Sequence, residues 1–405
     1  MAGKRGLVQT VGTTEDPIIV SLQTYQPDIA VFIASDRSLP VAEKAVSVAK
    51  PPKYRIIKLD DPDDMSEAYR VGRQAYRLFR EEGVEELFAD PTGGTKVMAA
   101  GLVLALAGLN FTFIYVTGPR DKIGRVIPGQ EEIRTMVDPT ERFHVFERRA
   151  FVQAWNGWRM QSASQILEGI LQSDNELEKT ERKYYQALHQ IARGMYEWDR
   201  FHHGKAARLL RTHLPPALEV AREWGRADIV SLLENLEGRI ETLAAINQAS
   251  NSSRPTFAVL EDLLANAERR ADAGRYDDAL ARLYRALELA LEAHFNERYD
   301  LKLRHSDQWP AELRRLIGHS TKRMGLFELI DVGKQLAEHF NEKDSLPLRL
   351  HRRKKELRQL VEDRHRSILA HGVHPIDQAD YQKMFAFLRA LGLKPAEPWP
   401  KWREA

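Results

Sequence analysis

Strand-like and helical spacing alternate over the first 145 residues and then the strands stop; from Phe146 onward only helical spacing remains. Residues 6–11, 29–34, 54–59, 84–89 and 111–117 are short apolar runs of strand length. Helical spacing lies between them at 17–25, 67–80 and 96–107. Such alternation predicts an α/β, Rossmann-like domain with a mostly parallel sheet covered on both faces, followed by an all-α region. The longest apolar stretch, 97–116, changes at Gly108-Leu109-Asn110 from alanine and leucine to aromatic and β-branched residues. It therefore reads as a buried helix turning into a buried strand, and no membrane span is expected.

In a parallel sheet, ligands bind beyond the C-terminal ends of the strands. Three polar loops fall there: Gly12-Thr13-Thr14, Ser35-Asp36-Arg37-Ser38, and Asp90-Pro91-Thr92-Gly93-Gly94-Thr95-Lys96. The third combines adjacent glycines, two hydroxyls, a lysine and a following helix, which is chemistry suited to phosphate. It lacks the Gly-Lys-Ser/Thr core of a Walker A loop, and Gly12-Thr13-Thr14 is no dinucleotide fingerprint. A plain Gly-Gly turn with an N-cap threonine fits the same residues, and the loop by itself leaves both readings open.

Taken together, the Gly-Thr loop after the first strand and DPTGGTK before the penultimate helix resemble the CARF domains of CRISPR-associated proteins over about residues 1–145. The resemblance implies a cyclic oligoadenylate ligand held across a two-fold dimer interface. Cyclic tetra-adenylate is the implied activator, with cyclic hexa-adenylate as the other ring size. Its contacts would come from Gly12, Thr13, Thr14, Ser35, Thr92, Gly93, Gly94, Thr95 and Lys96. Slow cleavage of the ring by this domain is a further activity the resemblance admits.

The charge balance of 60 basic against 58 acidic residues gives no global nucleic-acid signature, so any such surface is local. With no cysteine and no signal-peptide core at the N-terminus, a cytoplasmic protein is expected, without disulfides or thiolate metal sites. Turn signals at Pro215-Pro216, 247–255 and Pro310 divide the helical part, giving a connector over 146–250 and a second helical domain over 256–405. Trp155, Trp158, Trp198 and Trp224 are assigned to core packing. Two weakly similar stretches, 191–211 and 267–287, each read as a helical hairpin, and two copies make a poor repeat array.

Near the C-terminus, Leu357, Val361, Arg364, Ile368 and His371 follow at alternating steps of four and three, which places an arginine and a histidine on an apolar seam. Polar groups at such positions require a polar partner. Upstream, Arg349, Arg352, Arg353, Lys354, Lys355 and Arg358 concentrate six cations in ten residues, a solvated face or an RNA backbone track. The motif RHRSILAHG resembles the Arg-x(4–6)-His signature of HEPN ribonucleases, and RYDDALARLYRALE resembles the helix that opens such domains. Arg364 aligns with His371 on one helix face whereas Arg366 does not, so Arg364 is taken as the partner. His365 stands where many relatives carry asparagine.

The resemblance implies a homodimer with a composite Arg364–His371 site that includes His365. RNA-binding residues would be Arg352, Arg353, Lys354, Lys355 and Arg358, and no metal or cofactor is expected. The expected function is a cyclic-oligoadenylate-activated, metal-independent endoribonuclease acting on single-stranded RNA in type III CRISPR antiviral defence. The rival expectation is a cyclic-oligoadenylate sensor with an inactive helical dimerisation or regulatory domain.

Overall fold

The computed structural model describes residues 3–122, 126–127, 129–173, 177–317, 324–365 and 375–402. The chain forms two compact units, residues 1–148 and 149–405.

The first unit alternates β1 (Arg5–Thr10), α1 (Asp16–Tyr25), β2 (Ile29–Ser35), α2 (Leu39–Ala49), β3 (Tyr54–Leu59), α3 (Met65–Glu81), β4 (Glu86–Asp90), α4 (Lys96–Leu106) and β5 (Phe111–Thr117). It ends with β6 (Glu132–Met136) and the short α5 (Pro139–Arg142). The sheet order is β3-β2-β1-β4-β5-β6, parallel except for β6, which pairs antiparallel with β5. Period-two alternation explains why both faces are covered. In β2, Ile29, Val31 and Ile33 join the core that includes Phe79 of α3 and Leu102 of α4. Ala30, Phe32 and Ala34 join the opposite core, with Ile18 and Leu22 of α1 and Ala42 and Ala45 of α2. The apolar stretch 97–116 is a buried helix followed by a buried strand, and among the described residues no helix is long and apolar enough to cross a membrane.

Helix α2, strand β6 and the one-turn α5 were not expected. Helix α2 begins after Ser38 with Pro at its first turn, a position where proline's missing N–H costs nothing. Strand β6 is largely exposed, so its sequence carries no apolar run; its pairing is supplied by β5. The order of the parallel strands matters for function. From β1 the chain moves outward to β2 and β3, then returns across β1 to β4 on its other side. The C-terminal ends of β1 and β4 therefore flank the topological switch point, where such sheets open a crevice.

The second unit is helical: α6 (Val145–Asn156), α7 (Met160–Gln172), α8 (Lys179–Asp199), α9 (His203–Glu223), α10 (Ala227–Glu237), α11 (Ile240–Asn251), α12 (Phe257–Asp272), α13 (Tyr276–Tyr299), α14 (Ala311–Ile317), α15 (Leu326–His339), α16 (Leu346–Arg352), α17 (Lys354–His365) and α18 (Gln378–Ala390). It has two cores. One spans Phe151 to Leu243 and also takes in Trp399 and Trp402; the other spans Leu260 to Leu393. The weakly similar stretches are the α8–α9 and α12–α13 hairpins.

Pro215 and Pro216 do not end a helix, because both lie inside α9. Leu210, Leu214, Ala217, Leu218 and Ala221 along α9 are all buried, so packing outweighs the two missing amide donors. The tract 247–255 is also helical as far as Asn251, where α11 stops. Trp155 and Trp198 are buried, Trp158 is half-buried, and Trp224 is 39% exposed, its ring edge-on to Tyr184.

Helices α3 and α4 meet through small residues. A Cβ on Gly72 would lie 2.8 Å from that of Ala105, and one on Gly101 would overlap Ala68. Gly101→Ala is expected to force the helices apart and lower the unfolding free energy of this unit by about 1–3 kcal/mol, read by urea denaturation. An unchanged midpoint would contradict this packing.

Candidate functional site

The first and third predicted loops are in backbone contact at the switch point. A Cβ on Gly12 would sit 2.9 Å from the Gly94 nitrogen, and one on Gly93 would overlap the Thr10 carbonyl oxygen, so no side chain fits between the strands' ends. Thr10 Oγ1 donates to the Gly93 carbonyl at 2.6 Å, and Gly94 takes φ +79°, a conformation open to glycine.

Asp90 holds this arrangement from below. Only 2% exposed, it accepts from Gln9 Nε2 at 3.0 Å, Ser21 Oγ at 2.7 Å, and the Thr92 backbone N–H at 2.9 Å and hydroxyl. Gln9 is its register partner on β1, so the carboxylate ties β1, α1 and the loop after β4 together. Spacing gave Asp90 no role beyond loop membership, because two of its donors, Ser21 and Gln9, lie 69 and 81 residues away.

The predicted ligand contacts divide into committed and uncommitted groups. The Thr92 hydroxyl bonds Asp90 and accepts from Val116 N–H at 2.8 Å. The Thr95 hydroxyl donates to the Pro62 carbonyl at 2.6 Å and caps α4 by accepting from Met98 N–H at 3.1 Å. Ser35 pairs with the buried Ser38 through its backbone N–H at 3.0 Å and its hydroxyl at 3.3 Å. Thr13, Thr14 and Lys96 are exposed and make no side-chain hydrogen bond or ion pair among the described residues. Lys96 is the first residue of α4, beside the helix's unpaired N–H groups. The crevice thus offers fixed backbone, a cation and two free hydroxyls, an arrangement for a phosphate-bearing ligand.

In the second unit, α17 packs on the core through Leu357 and Val361, both buried, alongside Leu280, Leu283, Leu287 and Leu291 of α13. Helix α17 is described as far as His365; the side chains of Arg364 and His365, and all of His371, lie outside the described residues. The basic run is split by a break at Arg353 between α16 and α17. Arg352 pairs with Asp344 at 3.0 Å. Arg353 grips Glu356 through two bonds of 2.8 Å with its guanidinium 4.5 Å from the Phe387 ring centre, and Lys354 reaches both oxygens of Asp331 on α15. Arg358 is exposed, its guanidinium 5.5 Å from the ring centre of Phe327. Lys355 is exposed and carries no ion pair among the described residues. Among the described residues, no group of three or more histidines and carboxylates is arranged to hold a metal ion.

Comparison with known proteins places two segments. Residues 143–240 match the family model of the Csm6 6H domain, and residues 248–392 match that of the Csm6 HEPN domain, together more than half of the chain. No curated protein matches the sequence. Among solved structures, Enterococcus italicus Csm6 bound to cyclic hexa-2'-fluoro-hexa-dAMP is 11% identical, covering 96% of this chain and 93% of its own, with a TM-score of 0.46. Can2 from Sulfobacillus thermosulfidooxidans in complex with cyclic tetra-adenylate is 15% identical over 46% of this chain and 57% of its own, TM-score 0.26. Protein VC1899 from Vibrio cholerae is 10% identical over 44% and 55%, TM-score 0.27. At these scores the structural likeness carries no argument, and the assignment rests on the two family models.

Asp90→Asn is expected to destabilise the first unit by about 2–3 kcal/mol, since an amide cannot accept from all of these donors. Lys96→Ala should stay within about 0.5 kcal/mol of the parent. Denaturant titration of both variants checks the contrast, and equal stabilities would mean Asp90 is not the anchor.

Proposed function

The chain belongs to the Csm6 family of CRISPR ancillary ribonucleases, and from that premise we propose that it is a cyclic-oligoadenylate-activated endoribonuclease cleaving single-stranded RNA in type III CRISPR defence. The observation that carries the reading is the union, in one chain, of a switch-point crevice offering Thr13, Thr14 and Lys96 with a HEPN segment whose helix α17 carries Arg364 and His365.

In the crevice, Lys96 and the N–H groups opening α4 would meet ring phosphates, and the close backbone of Gly12, Gly93 and Gly94 would let the ring approach. Thr92, Thr95 and Ser35 would shape that surface, their hydroxyls being engaged in the fold. Cyclic tetra-adenylate is the activator proposed first, with cyclic hexa-adenylate as the other ring size. Slow self-attack of the bound ring is a side activity of the same crevice.

In the HEPN segment, the ribose 2′-hydroxyl would attack the adjacent phosphorus. This forms a 2′,3′-cyclic phosphate and expels the 5′-oxygen, which takes up a proton as the 2′-oxygen loses one. His371 would move that proton and Arg364 would hold the phosphoryl oxygens as charge develops, with His365 as a neighbouring hydrogen-bonding group. This chemistry needs no metal. Two chains related by a two-fold axis would each supply one Arg–His pair to a shared cleft. Lys355 and Arg358 are the cations most open to an RNA backbone, while Arg352, Arg353 and Lys354 would first have to leave their carboxylates.

RNA cleavage by the full chain is expected to rise on adding cyclic tetra-adenylate or cyclic hexa-adenylate, and to persist in a metal chelator. Arg364→Ala and His371→Ala should each reduce it by at least about 100-fold with the melting temperature unchanged. Lys96→Ala should raise the ring concentration needed for activation. No cleavage with either ring would leave the sensor with an idle helical domain as the correct reading. An intact ring after incubation with His371→Ala protein would remove the ring-cleaving side activity.

A further inference from the structure

A second cavity, of about 800 Å³, lies within the helical unit where the C-terminal residues 395–399 cross α12 and α18. Its walls are aromatic and acidic: Tyr276, Tyr381, Phe385 and Trp399 supply rings, and Glu268 and Asp272 supply carboxylates one helical turn apart on α12. Tyr381 is stacked on Phe385 with ring centres 5.6 Å apart and lies 6.3 Å from Tyr276.

Two observations mark this cavity as more than a gap in packing. Tyr381 is only 7% exposed, and its hydroxyl makes no hydrogen bond among the described residues, although a buried phenol ordinarily finds a partner. Glu268 likewise has no hydrogen bond or ion pair there. Burial first, and Asp272 second, push its carboxyl above the ordinary range, against the pull of Arg389 and Arg269. Burial, then Glu268 and Asp272, push the Tyr381 phenol up too. The cavity's lining thus sets three carboxylates, Glu268, Asp272 and Glu397, against one cation, Arg269, which is already engaged by Asp199 and the Trp399 ring.

The rings here already attract the chain's own cations. Arg269 stacks 3.8 Å from the Trp399 ring centre, and Lys401 sits 4.7 Å from that of Trp158, whose indole N–H donates to Asp272 at 3.1 Å. The charges select among ligand classes. Phosphates would be repelled by the carboxylates, and an apolar guest would leave Glu268 without a partner among the described residues. A lone small cation would leave most of the volume empty. An elongated organic cation satisfies all three constraints: its ammonium groups reach Glu268, Asp272 and the Tyr381 oxygen, and its methylenes lie on the aromatic rings.

We propose that this cavity binds an aliphatic polyamine, with Glu268 and the Tyr381 hydroxyl as its polar anchors and the Tyr276, Phe385 and Trp399 rings as its walls. The site is independent of the nuclease reading, since it contains none of the residues assigned to ring or RNA. Calorimetric titration of the full chain with spermidine is expected to show saturable binding that magnesium at matched ionic strength does not displace. Glu268→Gln should weaken it by at least about tenfold, and Tyr381→Phe, which keeps the ring and removes only the hydroxyl, by about threefold or more. Both variants are first matched to the parent by circular dichroism, and Tyr381→Phe decides the matter should Glu268→Gln not fold. Absence of saturable heat, equal affinity in the folded variants, or displacement by magnesium would overturn the proposal.

Discussion

Two buried carboxylates, Asp199 and Asp262, fix how the two cores of the helical unit meet. Asp262 accepts from Trp198 Nε1 at 2.7 Å and faces His203 Nε2 at 2.8 Å, joining α12 to the α8–α9 hairpin. Asp199, at the end of α8, pairs with Arg269 and Arg270 and accepts from Asn266 at 3.0 Å. Charges taken out of water in this way contribute only when every partner is present, and losing one leaves the others stranded. The C-terminal tail closes the same junction. Arg269 stacks on Trp399, Trp155 Nε1 donates to the Pro400 carbonyl at 3.0 Å, and Asn156 and Trp402 exchange two hydrogen bonds. The acidic aromatic cavity lies beside this network, which explains how an unpaired Glu268 persists there: its surroundings are held by stronger neighbours.

Asp90 applies the same device in the α/β unit on a smaller scale. Its four donors come from β1, α1 and its own loop, so a single carboxylate sets the separation of the two strand ends that frame the crevice. In both units a buried acid holds backbone elements while nearby groups stay free. That division of labour suits a binding surface, because the groups that touch a ligand need not also maintain the fold.

The parallel strands were legible because a strand buried on both faces must be apolar at every position, and IAVFIA is. Strand β6 was not, since an exposed edge strand borrows its hydrogen bonds from a neighbour and leaves little mark in its own residues. The Pro215-Pro216 reading failed for the converse reason. A strong local signal was outweighed by a helix buried along its length, a cost that only tertiary packing can offset. At the crevice, glycine and threonine spacing located the loops, but which hydroxyls were already engaged depended on Pro62 and Val116, residues no local motif includes.

The basic run shows the same limit and also bounds what α17 can do. As a sequence it is six cations; as a structure, Arg352, Arg353 and Lys354 are bound to Asp344, Glu356 and Asp331 around a helix break. Those pairs, with Leu357 and Val361 in the core, fix the first turns of α17. Arg364 and His365 follow on the same helix, whose direction is already set upstream. The ion pairs of the upstream run therefore serve position, and Lys355 and Arg358 are left as its exposed cations.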